Sequence, residues 1–118
     1  MKVLFVCAGN ICRSPFAEGL ARRLATERGL DVEFTSAGEI ALEGDRCTRD
    51  AIAAAKEHGV DLSAHRAHRL TAEQRSAVDR VVPLFDVPDP LGRGPAAYRL
   101  TYRRLREKVE ELLAEVAA

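Results

Sequence analysis

Charge of one sign is what this sequence lacks first: 18 lysines and arginines balance 18 aspartates and glutamates over 118 residues. DNA, RNA and anionic membranes call for a sustained positive field, so none of them is an expected partner, and any anion must be held by a local site. Long apolar runs are missing too. None approaches the ~20 residues that cross a bilayer, and "MKVLFVCAGN" brings a glycine and an asparagine where a signal sequence would continue its apolar stretch. A cytoplasmic location is expected. Cysteine is scarce, at positions 7, 12 and 47, an odd count without framework spacing. In a reducing compartment these three remain thiols, there for reactivity or packing. The histidines lack ligand spacing with one another or with the cysteines, so no metal and no other cofactor is expected. Internal repeats are absent, and the length suits one domain over residues 1–118.

What is present alternates between two periods. "KVLFV" near the start is a short, β-branched apolar run that predicts a buried strand. A helix follows it, with Ser14 as N-cap, Pro15 at the first helical position, and Phe16, Leu20 and Leu24 with Ala17 and Ala21 forming one apolar stripe that stops near Gly29. "VEFTSAG" (Val32 to Gly38) predicts a second strand, and Thr48 to Gly59 a helix that Gly59 ends in a left-handed conformation. Thr71 and Gln74 form a capping-box pattern for a short third helix. "DRVVPLF" (Asp79 to Phe85) predicts a third strand whose second half Pro83 consigns to an edge or an end. Tyr98, Tyr102, Leu105, Val109, Leu112 and Val116 then mark the stripe of a final helix. Both tyrosines are expected to serve packing, and the arginines beside them to form a solvated face. Strands alternating with helices predict a three-layer α/β/α domain around a small parallel sheet of three or four strands. Ligands of such sheets lie beyond the carboxyl ends of the strands, where Cys7 falls.

"CAGNICRSP" (Cys7 to Pro15) is therefore the place to look for chemistry. A loop from Cys7 through Ala8, Gly9, Asn10, Ile11 and Cys12 to Arg13 and Ser14 joins a strand end to a helix N-terminus. Successive amides and the positive end of the helix dipole make it an anion cradle. Arg13 adds a fork that matches two phosphate oxygens. The same field favours the thiolate form of Cys7, and the Ser14 hydroxyl can donate to that sulfur. A thiolate attacking phosphorus needs a proton donor for the leaving oxygen on the opposite side. "DVPDP" offers Asp86 and Asp89, and Asp89 is preferred because Pro88 and Pro90 fix its backbone.

With "CAGNICRS" and the later "DP" at Asp89 and Pro90, the chain resembles the low-molecular-weight protein tyrosine phosphatases over nearly its whole length; "SAG" at Ser36 to Gly38 and His65 are weaker echoes. The resemblance implies hydrolysis of phosphomonoesters, phosphotyrosine of proteins foremost, through a phosphocysteine. Cys7 would be the nucleophile, Arg13 the phosphate clamp, and Asp89 the general acid and then the base for the water that clears the intermediate. Asn10 would hold the loop shape with Ser14, Ser36 and His65 as supports, and Cys12 would form a reversible disulfide with Cys7. Partners are then a phosphorylated protein or a small phosphomonoester, with oligomeric state left open.

Family members usually carry a further helix and strand before the Asp-Pro element, whereas here Phe85 runs straight into "DVPDP". Leu91 stands where an aromatic often follows Asp-Pro, and Ile11 stands where a threonine occurs in related protein-arginine phosphatases. Isoleucine there argues against phosphoarginine, although the chain after Asp89 looks more like that branch. The absence of cysteines after Cys47 argues against an arsenate reductase. A phosphate-binding protein without catalysis is the rival of a different class.

Overall fold

The run "KVLFVC" forms β1 (Lys2–Cys7) in the computed structural model, which describes residues 1–118, and Val3 through Cys7 are all buried. β1 pairs in parallel with β2 (Glu33–Gly38) on one side and β3 (Arg80–Pro83) on the other, giving the order β2-β1-β3. A central strand covered on both faces needs apolar side chains at every position, which is what the continuous run supplies. Its register sets Cys7 beside Gly38, so β1 and β2 end together at one rim of the sheet.

Four helices complete the chain: α1 (Arg13–Glu27), α2 (Arg49–Lys56), α3 (Ala72–Ser76) and α4 (Pro95–Ala117). The two faces of β1 are covered unequally. Val3 and Phe5 belong to one large core that contains the apolar stripes of α1, α2 and α4, with Phe16 stacked on Tyr102 at 4.0 Å between ring centroids. Leu4, Val6 and Ala37 form a second, small cluster, against which Leu70 and Val78 pack from the segments flanking α3 and Val81 from β3. The thick layer therefore supplies most of the stabilisation, at roughly 1.5–3 kcal/mol for each large side chain fully buried. No helix is long and apolar enough to cross a membrane.

Local chemistry sets the boundaries. Thr48 caps α2 by accepting the Ala51 amide at 3.2 Å, and Thr71 caps α3 by accepting the Gln74 amide at 3.0 Å. Gly59 takes the left-handed conformation (φ +73°) just beyond α2, where the Val60 amide returns to the Ala55 carbonyl. The expectation that Ser14 caps α1 is corrected: the helix starts at Arg13, Cys12 occupies the cap position without a side-chain bond, and the Ser14 hydroxyl is taken up elsewhere. β3 is, with β2, one of the two edge strands. It has four residues and closes on Pro83, so it offers little unpaired backbone to another chain.

Candidate active site

Cys7 is the last residue of β1 and Arg13 the first of α1, so the loop between them is clamped at both ends by regular structure. Its turn depends on Asn10, which is fully buried with φ of +54°, a left-handed conformation that asparagine tolerates better than most side chains. Every polar atom of the Asn10 side chain is bonded. Its Nδ2 donates to Ser14 Oγ at 2.7 Å and Ser36 Oγ at 2.9 Å, while Oδ1 accepts the His68 amide at 2.9 Å. The His65 ring adds a contact from Nε2 to the Asn10 carbonyl at 3.0 Å. Burial holds the His65 ring below the usual histidine pKa, opposed by the bond to the Asn10 backbone. Ser36 in turn donates to Glu18, whose other oxygen pairs with Arg22 at 3.0 Å.

At the floor, Cys7 Sγ lies 2.9 Å from Ser14 Oγ. Because Ser14 Oγ already accepts from Asn10, its own proton is directed to the sulfur. Arg13 is 5% exposed. One edge of its guanidinium is occupied: Nη1 donates to the Val87 carbonyl at 2.9 Å and to Leu84 at 3.4 Å. The other edge is different. Nε is buried with no hydrogen-bond partner, and Nη2 lies 3.6 Å from Asp89 Oδ2, an ion-pair distance beyond hydrogen-bond length. A planar fork with its Nε–Nη2 edge uncommitted is the geometry that takes two oxygens of one phosphate.

Asp89 is itself held by the turn that Pro88 and Pro90 flank, with Oδ1 accepting the Leu91 amide at 3.1 Å. Cys7, Ala8, Gly9, Ile11, Cys12, Arg13 and Asp89 line one cleft of about 220 Å³, walled by Ile40, Leu42 and Leu91 and reached also by Asp45. Asp86 is absent from this lining. It faces the β3 side, where Lys108 at 2.7 Å holds its carboxyl below the usual range.

The other two thiols sit in a different environment. Cys12 Sγ contacts the Tyr98 hydroxyl at 3.1 Å, and burial raises its pKa; Cys47 is pushed up to about 12, also by burial. Tyr102 donates to the Cys12 carbonyl at 2.7 Å, and Tyr98 also meets Thr48 Oγ1 at 2.8 Å. The tyrosines expected to serve packing thus carry polar contacts to the loop as well. The signal for this was in the sequence: a buried phenol needs a partner for its hydroxyl. Glu18, His68 and the apolar walls Ile40 and Leu42 left no such trace, since their roles arise only when β2 and the loops after it come beside β1.

Gly38 explains the echo "SAG". A Cβ there would lie 2.5 Å from the Ala8 carbonyl oxygen and 2.9 Å from the Asn10 amide nitrogen, both backbone atoms of the loop. Gly38→Ala must therefore displace the loop or β2. We expect a loss of about 1–3 kcal/mol in urea-denaturation stability, the usual cost of overpacking, together with a fall in kcat that exceeds any change in KM for p-nitrophenyl phosphate. An unchanged kcat would mean that the loop shifts without loss of its geometry.

The family profile described as low molecular weight phosphotyrosine protein phosphatase matches residues 2–85. A protein-arginine-phosphatase of Bacillus subtilis (strain 168) is 31% identical, with 99% of this chain and 95% of that protein covered. The human low molecular weight phosphotyrosine protein phosphatase is 37% identical over 68% of this chain, a match that spans 52% of its own length. Among solved structures, a cysteine-to-serine mutant of YwlE arginine phosphatase with a phosphorylated active site serine superposes with a TM-score of 0.94 at 27% identity, over 99% of this chain and 96% of that one.

Proposed function

The chain belongs to the low molecular weight phosphotyrosine protein phosphatase family, and from that premise we propose that its cleft hydrolyses phosphomonoesters, phosphotyrosine of proteins foremost, by way of a phosphocysteine at Cys7. The observation that carries this reading is the grouping of the Cys7 sulfur, 2.9 Å from the Ser14 hydroxyl, with the uncommitted Nε–Nη2 edge of Arg13 and the Asp89 carboxyl in one cleft. Neither a metal nor another cofactor is assigned a role.

In the reaction the dianion enters the loop at the N-terminus of α1, where backbone amides and the helix dipole offset its charge. Arg13 takes two of its oxygens and gives up its contact with Asp89. The Cys7 thiolate attacks phosphorus in line, forming the S–P bond as the P–O bond to the leaving group breaks. Asp89 passes its proton to the departing oxygen. The carboxylate left behind then removes a proton from water, which attacks phosphorus, restoring the thiolate and releasing phosphate. Ile11, Ile40, Leu42 and Leu91 give the leaving group apolar walls, suited to an aromatic ring held between aliphatic side chains. Cys12, in the same loop, is the proposed disulfide partner of an oxidised Cys7. The phosphorylated serine of the YwlE mutant supports attack on phosphorus from the corresponding position. A cytoplasmic setting fits free thiols at all three cysteines.

Iodoacetate tests the assignment against a binder without catalysis. Burial raises the pKa of the Cys12 and Cys47 thiols, so at pH ~6–7 alkylation should fall on Cys7, whose sulfur lines the cleft beside the Ser14 hydroxyl. Vanadate should protect it, and loss of p-nitrophenyl phosphate turnover should track the label. Labelling of Cys47 first, or full labelling of Cys7 without loss of turnover, overturns the reading. The match to a protein-arginine-phosphatase over nearly the whole chain makes phosphoarginine the second reading. Phosphotyrosine and phosphoarginine in one peptide sequence, compared by kcat/KM, separate the two.

A further inference from the structure

Two carboxylates line the cleft, and they are not in the same situation. Asp89 faces the Arg13 guanidinium at 3.6 Å. Asp45 has no ion-pair or side-chain hydrogen-bond partner, whereas Glu43 pairs with His68 at 3.5 Å and Glu18 with Arg22 at 3.0 Å. Nor is Asp45 on a loose loop. Its amide donates to the Leu42 carbonyl at 3.1 Å, its carbonyl accepts the Ala67 amide at 2.8 Å, and the Gly44 amide before it donates to the Ala67 carbonyl at 3.0 Å. The backbone is fastened on both sides of the residue, with Gly44 at φ +85° making the turn.

Asp45 is exposed, and an uncompensated carboxylate in a cleft that must receive a dianion raises the cost of binding, since like charges repel even where water weakens the effect. The repulsion is offset when the substrate brings a cation of its own. Resting on the phosphatase reading above, we propose that Asp45 is a specificity-determining residue, selecting phosphorylated polypeptides that carry a guanidinium or ammonium group beside the phospho-residue and disfavouring those with acidic neighbours. Asp45 lines the cleft that takes the phospho-residue, so a cationic group on a residue beside it in the polypeptide would meet the Asp45 carboxylate.

The test uses two phosphotyrosine peptides that differ only in having arginine or glutamate on both sides of the phosphotyrosine. Two readouts are taken with the full chain: kcat/KM for the native protein, and Kd for a Cys7→Ala form, which has no nucleophile and holds the peptide without turnover. An exposed ion pair is worth up to ~1 kcal/mol, so the arginine peptide should be favoured about fivefold in each readout. The preference should shrink as salt rises. Asp45→Asn should bring the ratio to about one, and Asp45→Lys should invert it. A ratio unmoved by both substitutions overturns the proposal. A charge-dependent Kd ratio without turnover of either peptide or of p-nitrophenyl phosphate would instead sink the phosphatase reading and leave Asp45 as a selector of cationic ligands. A phosphoarginine peptide with neutral neighbours, weakened by Asp45→Asn while the arginine-to-glutamate ratio stays fixed, would place the selected cation on the phospho-residue and overturn selection of a neighbour.

Discussion

Cys7→Ser is expected to abolish turnover of p-nitrophenyl phosphate, a loss on the order of 10⁶-fold if Cys7 is the nucleophile, while the fold and phosphate binding persist. The exchange is nearly isosteric, and the partner 2.9 Å away, Ser14 Oγ, hydrogen-bonds a hydroxyl as readily as a thiol. Ionisation is what changes. A thiol beside a helix N-terminus and a hydrogen-bond donor can exist as its anion before substrate arrives, whereas a serine hydroxyl needs a base to take its proton during attack. Serine is also the poorer leaving group when water attacks phosphorus, so a phosphoserine like that of the YwlE mutant would persist instead of turning over. The paired measurement is nitrophenol release together with the shift in melting temperature on adding vanadate. Near-native release from the variant would put the nucleophile elsewhere, and loss of the vanadate shift would show that the exchange had disturbed the cradle.

Asp89→Asn should depress hydrolysis of phenyl phosphate by about 10²–10⁴-fold and spare p-nitrophenyl phosphate, since nitrophenolate leaves with little help from an acid. The carboxyl belongs to the cleft that contains Cys7, and its direction is set by the Leu91 amide at 3.1 Å within a turn between two prolines. Asparagine keeps the shape and loses the transferable proton, so the dependence on leaving group distinguishes acid catalysis from support of the loop. Equal losses for both substrates would make Asp89 structural. Asp86→Asn is the control, because Lys108 occupies that carboxyl at 2.7 Å on the β3 side. Its turnover should stay near the native value, and a leaving-group-dependent loss there would move the acid to Asp86.

The elements were legible in the sequence because each obeys a local rule. Val3 to Val6 are uniformly apolar since β1 is central; the stripe from Tyr98 to Leu112 repeats by fours and threes since one face of α4 is buried; Thr48 and Thr71 precede helices that need caps. The loop was legible for a related reason, since Cys7, Asn10, Arg13 and Ser14 fall in a single stretch of chain. What could not be read depends on segments that meet only after folding. Ser14 looked like a cap because serines before helices usually are; here the sulfur and Asn10 compete for its hydroxyl, and helix capping loses. Gly38 looked like the end of a strand, and its lack of a side chain proves to matter for the loop beside it, whose carbonyl at Ala8 leaves no room for a Cβ. The occupied edge of Arg13 depends on carbonyls of Leu84 and Val87, more than 70 residues away in sequence. Asp45 gave no sign of lining the cleft, since nothing in "EGDRC" differs from an ordinary polar turn.

The two tyrosines of α4 also set an order of events during synthesis. The loop from Cys7 to Ser14 leaves the ribosome before α4, yet Cys12 waits for the Tyr98 hydroxyl, 86 residues later, and its carbonyl waits for Tyr102, 90 residues later. Phe16 likewise has no ring to stack on until Tyr102 arrives. A nascent chain stalled before α4 would hold Cys7, Arg13 and Asp89 without the core that fixes them relative to one another. The loop is thus translated well before it is assembled, and the growing polypeptide completes its cleft only once α4 has emerged.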